Sequence, residues 1–199
     1  AATDFRQELD ATSDTEFLGR LASLMGMFYQ DQAKYDLAKE WFERKLEASL
    51  ASADQYGVRI AQGSLGIIAS RLGDKELAAE WYAKALATAE RIGDKNGYGK
   101  TLMDMAVLER NAGRNEEARE TYRRCLTLAR QIGNRRLEQT VLYNIGEAHY
   151  YDEEIEKARE YFLQALELAR EINDKVGVSY CYDALGDSAF TLGKLDDAY

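Results

Sequence analysis

One histidine, two cysteines and a run of carboxylates are the side chains of this chain that could do chemistry, and each would need company. His149 is the sole histidine. As a general base it would need a nucleophile beside it, and a two-histidine zinc motif cannot be built from it. Cys125 and Cys181 lie 56 residues apart with no CxxC and no Cys/His spacing. They read as two small core residues of a protein held in a reducing compartment, so a cytoplasmic location is expected. Glu153 and Glu154 are neighbours beside a turn, where solvent keeps both ionised and neither is poised as an acid. No GxSxG elbow, P-loop or GxGxxG is present. The expectation is a chain that is no enzyme and uses no metal or cofactor.

Charge narrows the partners. The net charge of −9 argues against nucleic acid and against an anionic membrane, both of which need a basic surface to displace counterions. No uncharged apolar run approaches the roughly 20 residues of a membrane span. No signal peptide is visible, although so abrupt a start is compatible with a leader removed before Ala1. The charge is uneven, with Arg119, Arg123, Arg124, Arg130, Arg135 and Arg136 close together and Asp152, Glu153, Glu154 and Glu156 following. Such runs make either two solvated faces side by side or a dock for an acidic segment.

The elements that would carry these residues show themselves as a repeat. Gly26, Gly66, Ala106, Gly146 and Gly186 recur at intervals of 40 in the 199 residues. So do Ala38, Ala78, Ala118, Ala158 and Ala198, and behind them Phe42, Tyr82, Tyr122 and Phe162. Within a unit the apolar residues keep helical spacing: Leu77, Ala78, Trp81, Tyr82, Ala85 and Leu86 form one stripe. Glu80/Lys84, Glu40/Arg44 and Glu120/Arg124 are i,i+4 pairs that mark the opposite, solvent side. Gly73, Gly113 and Gly193 close first helices and Gly93 and Gly133 close second ones, since a C-cap favours the left-handed region. Asp14, Asp54, Asp94, Asn134 and Asp174 then cap the next helix. Each helix runs about 17 residues, or roughly 25 Å. The small residues at 26 and its equivalents allow two backbones to approach closely, with the Ala38 column expected as the facing wall.

These columns resemble the tetratricopeptide repeat, a helix–turn–helix unit usually of about 34 residues. The small residue after an apolar one, then Ala, an aromatic and Ala, is met by Leu65-Gly66, Ala78, Tyr82 and Ala85. It recurs in every complete unit, with Lys45 and Cys125 in place of the last alanine in two. The family's usual proline is absent, and the longer unit is similar to its 40-residue variety. The resemblance implies an all-α fold, a right-handed superhelical αα-solenoid. The units are expected at 15–53, 54–93, 94–133 and 134–173, with a partial fifth at 174–199 and a tail of a preceding unit at 1–13. Open solenoid ends are sticky, so self-association through them is expected.

By the same resemblance, partners lie in a groove lined by first helices. The positions carried over are Met27, Ile67, Met103, Val107, Arg110, Tyr143, Glu147, Tyr150 and Tyr180, with Asp183, Asp187 and Phe190 in the same columns. Members that clamp a terminal carboxylate commonly place Asn after the small residue; Met27, Ile67 and Val107 stand there, against that mode. The apolar and aromatic character of the columns suits an amphipathic helix or an apolar peptide. Two functions follow: a non-catalytic protein-interaction scaffold belonging to a larger protein, or the peptide- or ligand-sensing arm of a bacterial signalling or transcription regulator.

Overall fold

A computed structural model describes residues 14–193, among which there are nine helices and no strand. They are α1 (Thr15–Asp31), α2 (Tyr35–Ala51), α3 (Gln55–Arg71), α4 (Lys75–Ile92), α5 (Lys95–Asn111), α6 (Asn115–Gln131), α7 (Arg135–Tyr151), α8 (Ile155–Glu171) and α9 (Lys175–Thr191). The all-α reading is therefore shown. The tail expected at 1–13, and positions 194–199 with Ala198, lie outside the described residues.

The turns explain the rhythm. A residue with positive φ falls every 20 positions: Gly73, Gly93, Gly113, Gly133 and Gly193, but also Ala33, Ala53, Glu153 and Asn173. Behind each of the first eight runs a backbone bond from the next residue to a carbonyl five back, as from Asp74 N to Ala69 O at 3.0 Å and from Glu154 N to His149 O at 2.9 Å. This is the Schellman closure, which needs left-handed backbone whatever the side chain. Four turns therefore carry a Cβ where glycine would sit without strain. The following residue begins the next helix. Asp54 accepts from Gly57 N at 2.9 Å, Asp94 from Gly97 N at 2.8 Å and Asn134 from Leu137 N at 2.9 Å.

The chain divides into two compact units, Ala1–Thr101 and Leu102–Tyr199. In the first, α1 packs on α2, α2 on α3 and α3 on α4. Its core joins Ala38, Phe42, Leu65 and Ile68, with Ala22 and Trp41 forming a second cluster. In the second, α6 packs on α7, α7 on α8 and α8 on α9. Leu142, Ala165, Leu166, Leu168 and Cys181 form its core.

Two expectations about these helices need correction. The wall facing the small column is first of all aromatic, not the Ala38 column. A Cβ on Gly26 would lie 2.6 Å from the Phe42 ring, one on Gly66 2.5 Å from Tyr82, and one on Gly146 2.6 Å from Phe162. At Gly146 the Ala158 carbonyl follows at 3.2 Å. A flat ring reaches further across the helix pair than an alanine methyl. Two of the i,i+4 pairs, Glu80/Lys84 and Glu120/Arg124, also change partners. Lys84 Nζ lies over the Trp81 ring at 4.3 Å and Arg44 over Trp41 at 5.1 Å. Glu120 takes Arg123 at 3.2 Å, leaving Arg124 in solvent. An indole face one turn back gives a long cation a stacking surface and the attraction of the ring quadrupole.

Candidate functional site

In the second unit, α7 buries Val141, Leu142, Ile145 and Ala148 on one side. The next row of the same helix, Tyr143, Glu147 and Tyr150, stays half-exposed, with Tyr151 open beyond it. On α9 the buried row is Cys181, Ser188 and Ala189, which turns Tyr180, Asp183 and Asp187 outward. Between the two helices α8 raises Phe162, whose ring can stand there because Gly146 has no Cβ. The result is a hollow of about 130 Å³ lined by Tyr143, Glu147, Tyr150, Tyr151, Phe162, Asp183, Ala184 and Asp187.

Its polar groups are unevenly satisfied. Arg110 donates to Glu147 Oε2 at 2.9 Å and lies 5.8 Å from the centre of the Tyr151 ring. The Tyr150 hydroxyl is 3.0 Å from Thr191 Oγ1. Tyr143 packs 5.4 Å from Phe162 and 6.4 Å from Tyr180, ring centre to ring centre. Burial pushes the Tyr143 phenol up to about 12, with Glu147 and Asp183 adding to the rise. Among the described residues no cation pairs with Asp183 or Asp187.

The nine residues expected at a groove are thus spread. Arg110, Tyr143, Glu147, Tyr150 and Tyr180 come together around the hollow. Met103 and Val107 are half-buried on α5. Met27, 55% exposed, and the half-buried Ile67 belong to the first unit. Phe162 was not expected here. The columns had assigned Phe162 to the core of a second helix, and only the missing Cβ of Gly146 hints that its ring surfaces between first helices.

The residues considered for chemistry are engaged otherwise. His149 stacks on Tyr161 at 5.3 Å and its Nδ1 meets Glu154 at 2.6 Å, with no nucleophile among these partners. Hydrogen bonds from Lys157 and then His149 hold the Glu154 carboxyl down at about 2, so bonded partners rather than solvent alone keep it ionised. Both cysteines are free and buried; burial pushes the Cys125 thiol up to about 12 and the Cys181 thiol up to about 11. Unreactive thiols are the consequence. Among the described residues no group of three or more His, Cys, Asp or Glu could hold a metal, and no helix is long and apolar enough to cross a membrane.

The arginine cluster is largely neutralised within the unit. Arg119 pairs with Asp152, with Glu116 at 2.7 Å and with Glu154 at 3.8 Å. Arg130 and Arg135 converge on the buried Glu138 at 2.8 and 3.0 Å, and Arg136 reaches Asp174 at 3.1 Å. Burial alone would raise the Glu138 carboxyl, but the bonds from Arg130 and Arg135 hold it below its ordinary value. With Arg123 on Glu120, only Arg124 of the six lacks a carboxylate partner among the described residues, which removes the basis for an acidic-segment dock.

Comparison with known proteins follows the same lines. No curated protein sequence matches the chain significantly. Among solved structures it is similar to BtubC (BKLC) from P. vanneervenii, with TM-score 0.76 and 18% identity over 97% of this chain and 85% of that one. It is also similar to a Rap protein complexed with competence and sporulation factor, with TM-score 0.81 and 17% identity over 98% of this chain and 55% of that one. A third is a signal transduction ATPase with numerous domains and a tetratricopeptide repeat sensor, from Pyrococcus horikoshii. Its TM-score is 0.78 and its identity 18%, over 99% of this chain and 31% of that one. At such identities the likeness is one of fold. The sequence model of the tetratricopeptide repeat matches residues 17–91, 97–171 and 137–198. Repeated helix pairs, the glycine-and-ring contact between their members and this match along most of the sequence together place the chain in the tetratricopeptide repeat family, whose fold serves as a protein-interaction scaffold.

Proposed function

We propose that the chain acts without catalysis, holding an extended peptide or a helical segment of a partner protein against its first helices. The contact residues are Met27, Ile67, Met103, Val107, Arg110, Tyr143, Glu147, Tyr150 and Tyr180. The observation that carries this is the hollow between α7 and α9, with Phe162 as its floor and tyrosines at its rim. Aromatic rings with one wet end and one dry end are common at protein interfaces, and each supplies contact area at little cost in rotamer entropy. The helices are counted as four full units, 15–53, 54–93, 94–133 and 134–173, with a fifth begun at 174. Two buried free thiols suit a reducing, cytoplasmic setting.

A second reading makes the array the sensing arm of a regulator. Two proteins of similar fold support it: one was solved with competence and sporulation factor, and another is described as having a tetratricopeptide repeat sensor. The chain spans 55% and 31% of those proteins, so an output domain would come from sequence beyond these 199 residues.

The test is selection of displayed peptides on the purified chain, followed by mapping of the best binder by amide chemical shifts. Shifts on α7 and α9, and at least a tenfold loss of affinity in Tyr150→Ala/Tyr180→Ala with an unchanged helical circular dichroism spectrum, are expected; about 1–2 kcal/mol is ordinary for an interface tyrosine. A binder whose shifts avoid α7 and α9 would overturn the reading.

A further inference from the structure

We propose that the hollow between α7 and α9 receives one arginine side chain of the bound segment, with Asp183 and Asp187 as its counter-charges and the tyrosine rings as its walls. This rests on the peptide-binding reading and narrows it to a chemistry.

Size comes first. At about 130 Å³ the hollow is well below the roughly 300–1,000 Å³ of sites that enclose a whole small ligand. It accommodates a single side chain, not a folded element.

Charge comes second. The charged residues lining the space are Glu147 on α7 and Asp183 and Asp187 on α9, and Arg110 on α5 bonds Glu147 from beside it. Arg110 is committed to Glu147 at 2.9 Å, so that pair is neutral. Two carboxylates are left, four residues apart on one helix face, a spacing at which like charges repel unless a cation sits between them. Among the described residues no cation pairs with either of them, and the arginines of the neighbouring cluster, Arg119, Arg130, Arg135 and Arg136, have their own acids.

The kind of cation comes third. The walls are the rings of Tyr143, Tyr150 and Tyr151 over the Phe162 floor. A planar, weakly hydrated guanidinium stacks on such faces and can divide its donors between two carboxylates, whereas an ammonium is a compact, strongly hydrated point charge. The unit already makes this arrangement with its own side chains. Arg110 joins Glu147 while lying over Tyr151, and Arg170 lies 5.6 Å from the Tyr182 ring centre and donates to its hydroxyl.

The experiment uses isotope-labelled full chain and three peptides, Ac-Ala-Leu-Xaa-Leu-Ala-NH2, in which Xaa is arginine, lysine or citrulline. Citrulline keeps the shape of arginine and loses the charge. The arginine peptide should shift the amides of Tyr143, Asp183 and Asp187 and bind about tenfold more tightly than the citrulline peptide, with lysine between them. Raising salt should shrink the gap. Asp183→Asn/Asp187→Asn, whose positions are exposed, should keep the helical spectrum and bind arginine and citrulline peptides alike. Equal affinity of the unaltered chain for arginine and citrulline, with shifts still on α7 and α9, overturns the arginine assignment and leaves the peptide groove standing. Absence of α7 and α9 shifts from the arginine peptide at millimolar concentration overturns the assignment too. Whether the groove survives that result is decided separately by the display-selected binder. If the double variant unfolds, Asp187→Asn alone and the salt series on the unaltered chain decide the same question.

Discussion

Two charged regions of the second unit look alike in sequence and behave oppositely in space. The arginines of α6 and early α7 sit among enough carboxylates to be taken up: Arg119 alone meets Glu116, Asp152 and Glu154, and Glu138 draws in Arg130 and Arg135. The acids of α9 at the hollow, Asp183 and Asp187, meet no cation among the described residues. The first region joins neighbouring helices; the second is available to something from outside. A run of like charge is therefore no guide to availability, because pairing is settled between helices rather than along one.

That contrast can be broken in four places. The severest is the floor of the hollow. Phe162 is 2% exposed, and Phe162→Ala should cost about 3–5 kcal/mol in urea denaturation and abolish peptide binding with it. Next comes the hub of the paired region: Arg119→Ala should cost about 1–2 kcal/mol, discounted because the side chain is 21% exposed. Asp187→Asn should stay within about 0.5 kcal/mol by the same measurement. Equal losses in the two variants would erase the distinction between structural and available charge.

The third is acid. Lowered carboxyls such as Glu154 and Glu138 bind fewer protons in the folded chain than in the unfolded one at mildly acidic pH. Their stabilisation is full above the ordinary carboxylate value of 4.5 and is lost as pH falls toward about 2. The melting temperature should drop through that window, and Glu154→Gln should flatten the drop; an unchanged slope would mean the pair with His149 and Lys157 contributes nothing to folding. The gentlest is Glu153→Gly. Glu153 holds φ at 61° inside the acidic run, with no ion pair of its own among the described residues. Relief of left-handed strain, about 1 kcal/mol, less the entropy of a new glycine, about 0.5 kcal/mol, leaves a net gain near 0.5 kcal/mol in the same urea denaturation.

Much of the fold was legible in the residues. The 40-residue columns located the helix pairs, and the capping acids stand where the chain turns, because a cap is a contact between positions three apart. The turns were only partly legible: Gly73, Gly93, Gly113, Gly133 and Gly193 announced themselves, while Ala33, Ala53, Glu153 and Asn173 adopt the same backbone without a signal. Packing of the flanking helices imposes it there. At the site, Tyr143, Glu147 and Tyr150 were visible from their columns. Phe162 was not, since its role depends on an absent Cβ sixteen residues earlier on another helix.

The order of residues by itself determined an all-helical repeat of the tetratricopeptide kind, because helix periodicity, caps and small-residue columns are properties of near neighbours and of a regular interval. Only the tertiary structure decided which arginines are already paired and which acids face an open hollow. Those outcomes require side chains from α5, α6, α7, α8 and α9 to meet, and the distance between two helices is written in no single stretch of sequence.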